Sequence, residues 1–306
     1  FDIGHILFIA TANTLDTIPR PLLDRMEVIR LSGYIEAEKL AIAKRYLLPK
    51  SLSAAGLDKK QVKYSAGALT EIARGYSREA GLRNYEKALD RIHRKIARKI
   101  VLEEIAPPVT IEEKDLGDYL GRPVFSDEEL KKITVPGQAV GLAWTAFGGE
   151  TLMIEAVSNP GKEGFKLTGQ MGGVMQESAK IAYTYVRHIA GKFGVGPEYF
   201  EKNQIHLHIP AGATPKDGPS AGITMAGALL SLATGRKIRR SLAMTGELSL
   251  VGNVLPIGGL KEKTIAARRG RIKEIIIPKQ NEKDLEEIPD HVKKGLTFRA
   301  VERMDE

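Results

Sequence analysis

A serine nucleophile needs a shaped turn to present it and a base to take its proton. The run Gly212-Ala213-Thr214-Pro215-Lys216-Asp217-Gly218-Pro219-Ser220-Ala221-Gly222 supplies the turn. A strand is predicted to end at Pro210, a loop rich in Pro and Gly follows, and a helix is predicted from Ser220. A hydroxyl there lies near unpaired helix N–H groups and the positive end of the helix dipole. The same N–H groups can hold an oxyanion. Ser is equally an ordinary helix N-cap, so spacing alone leaves both roles open. No His stands in these motif regions to complete a Ser–His–Asp triad. A lysine serves instead if burial lowers its pKa toward neutrality. Gly258-Gly259-Leu260-Lys261-Glu262-Lys263-Thr264-Ile265-Ala266-Ala267 carries two candidates. Lys261 and Lys263 are two apart on a predicted helix, so only one can face a site and the other is a surface lysine. Thr245-Gly246-Glu247 follows a predicted strand, and its hydroxyl could orient a neutral amine.

Other chemistry is thinly represented. His206-Leu207-His208 places two imidazoles on one side of a predicted strand, which could bridge a metal or be structural. No H-E-x-x-H run accompanies it, and the structural role is the expectation, with no metal site. His5, His93, His188 and His291 are scattered, which points to structural or solvent-facing roles. Cysteine is absent, which excludes disulfides, thiolate metal sites and a Cys nucleophile. No G-x-x-x-x-G-K-[ST] loop and no G-x-G-x-x-G occurs, so a P-loop ATPase cannot be complete in this chain.

The elements that must position these residues fall into three stretches. The chain has 306 residues, enough for about two domains, and its 42% hydrophobic and 27% charged residues are those of a folded globular protein. Residues 1–33 read as a remnant of an α/β core, with Ile6-Leu7-Phe8-Ile9-Ala10 as a buried parallel strand and Ile18-Pro19-Arg20-Pro21 as a break. Residues 34–120 read as helical. One helix is expected over 35–47 and another over 80–104, with Leu82, Tyr85, Leu89, Ile92, Ile96 and Ile100 on its apolar stripe. Pro107-Pro108 ends the helical pattern, and Ser126-Asp127-Glu128-Glu129 reads as a capping box at a junction.

Residues 121–306 alternate strands and helices, an α+β or α/β pattern. Strands are expected over 141–147, 151–157, 204–209, 242–245 and 274–277, with Gly148-Gly149 as a hairpin turn. Helices are expected over 174–193, with Met175, Ile181, Tyr185, Ile189 and Phe193 in its stripe, and over 220–234 and 261–269. The longest apolar run, Ala221 to Gly235, is about 15 residues against the roughly 20 needed to span a bilayer. The first residues resemble no targeting signal and lack an initiator Met, so a piece of a longer chain is expected, from a cytoplasm or an organelle matrix. The net charge of +8 is spread along the chain, with clusters at 91–99, 236–240 and 268–273. Each is a solvated face or a polyanion contact.

Three motifs in order carry a resemblance. Pro215-Lys216-Asp217-Gly218-Pro219-Ser220-Ala221-Gly222, Met244-Thr245-Gly246-Glu247 and Gly258-Gly259-Leu260-Lys261-Glu262-Lys263 resemble the proteolytic domain of the Lon protease family. Leu142-Ala143-Trp144-Thr145 and Val174-Met175-Gln176-Glu177-Ser178 are similar to further segments of it. The resemblance implies Ser220 as nucleophile, Lys263 as general base and Thr245 as its support. Phe8 to Asn13 and Pro21 to Glu27 are similar to the end of that family's ATPase module, and Arg78-Glu79-Ala80-Gly81-Leu82-Arg83 to its sensor-2 segment. That implies nucleotide-sensing roles for Asn13, Arg25 and Arg83, Arg83 being suited to phosphate by its permanent charge and forked geometry. Gly173 stands where many family sequences have an acidic residue.

The implied architecture is multidomain: an all-α helical subdomain of the ATPase-lid type over 34–120, then an α+β Ser–Lys peptidase domain over 121–306. The implied function is cleavage of unfolded or damaged proteins by a homo-hexamer, driven by Mg-ATP in the intact protein. This chain is expected to hold no cofactor, to cross no membrane and to show at best slow ATP-independent peptidase activity. The cytoplasm is the expected compartment, with the mitochondrial matrix as alternative. The competing expectation is a catalytically latent piece that oligomerises or binds DNA or another polyanion.

Overall fold

The computed structural model describes residues 4–12, 18–29, 33–79, 81–125, 133–145, 148–210 and 216–306. The chain divides into two compact units, 1–32 and 33–306. In the first, residues 6–12 form no regular element, and Leu7, Phe8 and Ile9 are exposed. The strand expected over 6–10 is therefore not formed. A parallel strand needs flanking strands for its N–H and C=O groups, and among the described residues no sheet takes this one in. The expected break at Ile18–Pro21 instead opens a short helix, α1 (Arg20–Leu23), because Pro is tolerated in a first helical turn.

The second unit begins with a helical bundle. It comprises α2 (Glu36–Ile42), α3 (Leu48–Ala54), β1 (Val62–Tyr64), α4 (Ala66–Glu71), α5 (Arg83–Val101), β2 (Val109–Ile111) and α6 (Leu116–Leu120). A wide π-type turn, Ala43–Leu47, links α2 to α3. Pro49 in the first turn of α3 explains it: proline lacks an N–H and crowds the carbonyl four residues back, and a wider turn relieves both. Tyr85, Leu89, Ile92 and Ile96 on α5 are wholly buried, as the spacing predicts. They pack with Leu69, Ile72, Ile111, Leu116 and Tyr119. The bundle also contains a two-stranded parallel ribbon, β1–β2.

The rest is built on a seven-stranded mixed sheet in the order β11-β10-β7-β3-β4-β6-β5. Its strands are β3 (Gln138–Thr145), β4 (Gly148–Pro160), β5 (Gly164–Thr168), β6 (Asn203–His208), β7 (Leu242–Met244), β10 (Glu274–Pro278) and β11 (Thr297–Val301). A small separate hairpin joins β8 (Glu247–Leu248) to β9 (Val254–Leu255). The helices are α7 (Gly173–Ile189), α8 (Glu198–Glu201), α9 (Gly222–Thr234), α10 (Leu260–Arg269) and α11 (Asp290–Lys293). Strands β3, β7, β10 and β11 run parallel, and β4 runs against β3 and β6.

Alternation along β3 divides the core in two. Ala139 packs with α7 and α9 through Ala182, Met225 and Ala226. Val140 and Leu142 pack with Leu260 and Ala267 of α10 on the opposite face. Ile35, the residue before α2, and Ile133 are buried in this second cluster, so the bundle is rooted in the core beneath α10.

Two sequence expectations shift here. The first hairpin closes at the pair Thr145–Gly148, so Gly148 and Gly149 open a strand instead of forming the turn. A Cβ on Gly149 would lie 1.9 Å from the Glu262 carbonyl oxygen, so only glycine lets the backbone of α10 lie on this strand. On α7, Phe193 falls beyond the α-helical stretch and is 40% exposed. The capping box at 126–129 lies outside the described residues.

Candidate active site

The parallel strands β3 and β7 end on the same side of the sheet, with Gly141 opposite Met244. Thr245 follows β7 directly. Its N–H donates to the Ile276 carbonyl of β10 at 3.0 Å, which carries the sheet one residue further. Its side chain is wholly buried, and Oγ1 donates to the Ser220 carbonyl at 3.3 Å. Gly246 N–H donates to the same carbonyl at 2.8 Å, and Ile223 N–H returns a bond to the Gly246 carbonyl at 3.2 Å. The sheet end and the Ser220 turn are thereby latched together.

Ser220 itself is half-buried and lies two residues before α9. It is not the N-cap of that helix: Gly222 N–H donates to the Pro219 carbonyl at 3.0 Å, and Ala221 occupies the cap position. Among the described residues, the N–H groups of Ser220 and Ala221 meet no acceptor. The turn is held from α7 as well. Asp217 Oδ1 accepts from Met175 N–H and from Gly218 N–H, both at 2.9 Å, so one carboxylate caps α7 and shapes the approach to Ser220. Ser178 Oγ, from the next turn of α7, donates to the Pro219 carbonyl at 3.3 Å. Residues 211–215 of the motif loop lie outside the described residues.

Helix α10 starts at the same end of the sheet. Gly259 precedes it with φ of 69°, and its backbone lies against Trp144, three residues past Gly141 on β3. A Cβ there would meet the indole at 3.0 Å in a conformation that L side chains rarely adopt. Lys263, one turn in, belongs to the sheet-facing stripe with Leu260, Ala266 and Ala267. It is 2% exposed, and among the described residues no hydrogen bond or ion pair meets its Nζ. Burial pulls its pKa down from 10.5 to about 8, against the weaker opposing charge of Glu262. Lys261 is partly exposed and has other partners. The structure thus separates two lysines that spacing left equivalent: Lys263 is the one turned inward.

The remaining candidates lie elsewhere. Arg25 is exposed in the 1–32 unit, its Nη1 donating to the Pro21 carbonyl at 3.1 Å. Arg83 is exposed at the start of α5. Lys39 braces the segment before it, donating from a buried position to the Ser77 carbonyl at 3.2 Å and to the Glu79 carbonyl. Glu79 Oε1 in turn accepts from Tyr85 N–H at 3.2 Å. Asn13 lies outside the described residues. His206 Nε2 and His208 Nδ1 both bond Thr168 Oγ1, at 2.8 and 2.7 Å, so the pair is tied to its neighbouring strand. Gly173 opens α7, and nothing within 4 Å would meet a Cβ there.

Asp217 and Ser178 are the site residues that sequence reasoning gave no role. Asp217 bonds a residue 42 positions away and Ser178 one 41 positions away, so no local signal reveals either contact.

Comparison with known proteins assigns the architecture. Residues 110–306 match the Lon protease (S16) C-terminal proteolytic domain, and residues 53–109 the Lon protease AAA+ ATPase lid domain. The second half is therefore a protease domain and the helical bundle an ATPase lid. The chain is 58% identical to a Lon protease of Treponema pallidum over its whole length, which is 35% of that protein. It is 54% identical to Lon protease 1 of Borreliella burgdorferi, again over its whole length and 38% of that protein. A Lon protease of Leptospira interrogans is 52% identical over all of this chain and 36% of its own length. The chain belongs to the Lon protease family, a family of serine-type proteases, and spans little more than a third of these relatives. By packing, the lid runs past the join of the two family models, since Ile111, Leu116 and Tyr119 belong to its core.

Proposed function

We propose that Ser220 and Lys263 form a Ser–Lys dyad that hydrolyses peptide bonds. The observation that carries this reading is the inward lysine: its ammonium is desolvated, its pKa is drawn to about 8, and it stands at the sheet end that holds the Ser220 turn. A neutral amine near physiological pH is what a serine hydroxyl needs as a base. Lys263 Nζ takes the proton of Ser220 Oγ as the oxygen attacks the scissile carbonyl. The N–H groups of Ser220 and Ala221, which meet no acceptor among the described residues, receive the developing oxyanion. Collapse expels the amine, which takes the proton back from Lys263. Water, deprotonated by the same lysine, then releases the acyl group and restores Ser220. Thr245 spends its hydrogen on the Ser220 carbonyl, which leaves oxygen lone pairs to accept from the lysine amine and aim it.

In the intact protein we place this domain in a homo-hexamer that degrades unfolded or damaged proteins, in the cytoplasm, with Mg-ATP driving substrate entry. Among the described residues no helix is long and apolar enough to cross a membrane. Arg83 offers a guanidinium suited to a nucleotide phosphate, and bound Mg-ATP would supply the energy for unfolding. The chain carries no G-x-x-x-x-G-K-[ST] loop to cradle that nucleotide, so hydrolysis of peptide bonds is the chemistry assigned to its own residues.

The test is covalent labelling by a serine-directed phosphonate, without ATP. Labelling of wild type at Ser220, lost in Ser220→Ala and slowed in Lys263→Ala, is expected; labelling that survives Ser220→Ala overturns the assignment.

One observation favours a second role beside this one. Arg83, Lys87, Arg91, Arg94 and Arg98 are all exposed along one face of α5, and among the described residues no ion pair occupies any of them. Such a stripe suits a polyanion, DNA included, and its binding would weaken steeply with salt. Titration with single-stranded DNA at rising ionic strength tests it; binding insensitive to salt rejects it.

A further inference from the structure

Serine and threonine inside a helix ordinarily return their hydroxyls to the carbonyl one turn back. Thr184 on α7 does so with Lys180, and Thr264 on α10 with Leu260. Ser178 does not. It is 4% exposed on α7, and its hydroxyl reaches across to the Pro219 carbonyl at 3.3 Å. The two helices leave little room there: a Cβ on Gly222 would stand 3.1 Å from Ser178 Oγ. The Pro219 carbonyl belongs to the peptide that joins Pro219 to Ser220. In a trans peptide the N–H points away from the carbonyl, so fixing the Pro219 oxygen also aims the Ser220 N–H. That N–H has no acceptor among the described residues.

We propose that Ser178 is a positioning residue for the nucleophile: it holds the Pro219–Ser220 peptide so that the Ser220 N–H faces the reacting carbonyl. The proposal rests on the Ser220 reading and assigns a role to a helix outside the motifs that carry the dyad. Ser178 touches neither substrate nor base. It shares the task with Gly222 N–H, which bonds the same oxygen, and with Thr245 and Gly246, which hold the next one. Its loss should therefore weaken transition-state stabilisation without altering substrate binding or the lysine.

The experiment uses Ser178→Ala and Ser178→Cys in the full chain, with folding checked by circular dichroism. Cysteine keeps the shape of serine with a somewhat larger atom and donates poorly. Both variants should lower kcat about three- to tenfold, with KM unchanged within a factor of two and the pH midpoint unmoved. Amide exchange at Gly222 and Gly246, whose N–H groups bond the Pro219 and Ser220 carbonyls, should quicken by a similar factor, with the interiors of α7 and α9 unaffected. Wild-type kcat in Ser178→Cys beside a low kcat in Ser178→Ala would mean packing alone and overturn the proposal. So would exchange at Gly222 and Gly246 unchanged in both variants. Should turnover prove independent of Ser220, the dyad reading falls, and the exchange measurement still decides whether Ser178 orders the turn.

Discussion

Lys263 shows what the site costs the fold. Its pKa falls from 10.5 to about 8 because burial penalises the charged form. Between those values the unfolded chain binds the proton and the folded chain does not, so stability rises as pH climbs from about 8 to 10.5. Below about 8 the folded state must charge a buried amine, a cost of about 3 kcal/mol by linkage. Lys263→Met, similar in length and uncharged, should therefore melt several degrees above wild type at pH 7 and about level with it near pH 10.5, while losing hydrolysis. Melting curves at the two pH values check this; a variant less stable at both would mean that the lysine is not destabilised by burial. The choice of Lys263 over Lys261 lay beyond sequence spacing, because two residues on one helix differ only in which face meets the sheet. The three motifs around the site were legible because each is contiguous. The braces from Asp217 and Ser178 were not, since they join residues more than 40 positions apart.

At the scale of elements, the lid carries its own buried polar network. Ser51 Oγ bonds His93 Nδ1 at 2.7 Å, and Tyr64 Oη bonds His93 Nε2 at 2.9 Å. Ser51 also donates to Asp90 Oδ1 at 2.5 Å. His93 is wholly buried, and desolvation lowers its pKa from 6.5 to about 4. The unfolded state takes up the proton first as pH falls through that window, so the lid loses stability from about pH 6.5 down to about pH 4, by up to about 3 kcal/mol. Amide exchange in α5 at pH 7 and pH 5, corrected for intrinsic rates, should show lower protection at pH 5 in wild type. His93→Phe should abolish that difference; an unchanged difference would assign it to another group. Helix α5 itself was readable from a 3.6-residue apolar stripe that nothing interrupts. The strands at both edges of the main sheet were not. β5 and β11 are five residues each, and Phe165 and Leu167, or Phe298 and Ala300, make too brief an alternation to stand out. Gly148-Gly149 misled for a tertiary reason, since Gly149 answers to the carbonyl of Glu262 and not to a turn.

Over the whole molecule, the lid and the proteolytic domain share a core at one point. Ile35 precedes the first lid helix yet is buried with Ile133, Leu260 and Ala267, in the cluster that seats α10. The helix carrying Lys263 and the root of the lid therefore rest on the same apolar ground. Ile35→Ala should cost about 2–4 kcal/mol, the usual range for emptying such a site. It should also split the calorimetric transition, with the lid melting ahead of the sheet. A single transition shifted by less than about 1 °C would mean that the lid is not rooted there. Residues 1–33 were read as part of an α/β core, and their strand is the element that did not form. Its apolar run is plain in the sequence, but a parallel strand is defined by its neighbours, which the described residues do not supply.

The measurement that bears most directly on the dyad is the pH dependence of peptide hydrolysis without ATP, for wild type, Ser220→Ala and Lys263→Ala. The wild-type rate should rise with pH through a midpoint near 8, where Lys263 loses its proton. Both variants should fall by at least about a hundredfold while remaining folded. A Lys263→Ala enzyme that keeps the wild-type rate and midpoint would contradict the assignment of Lys263 as the base.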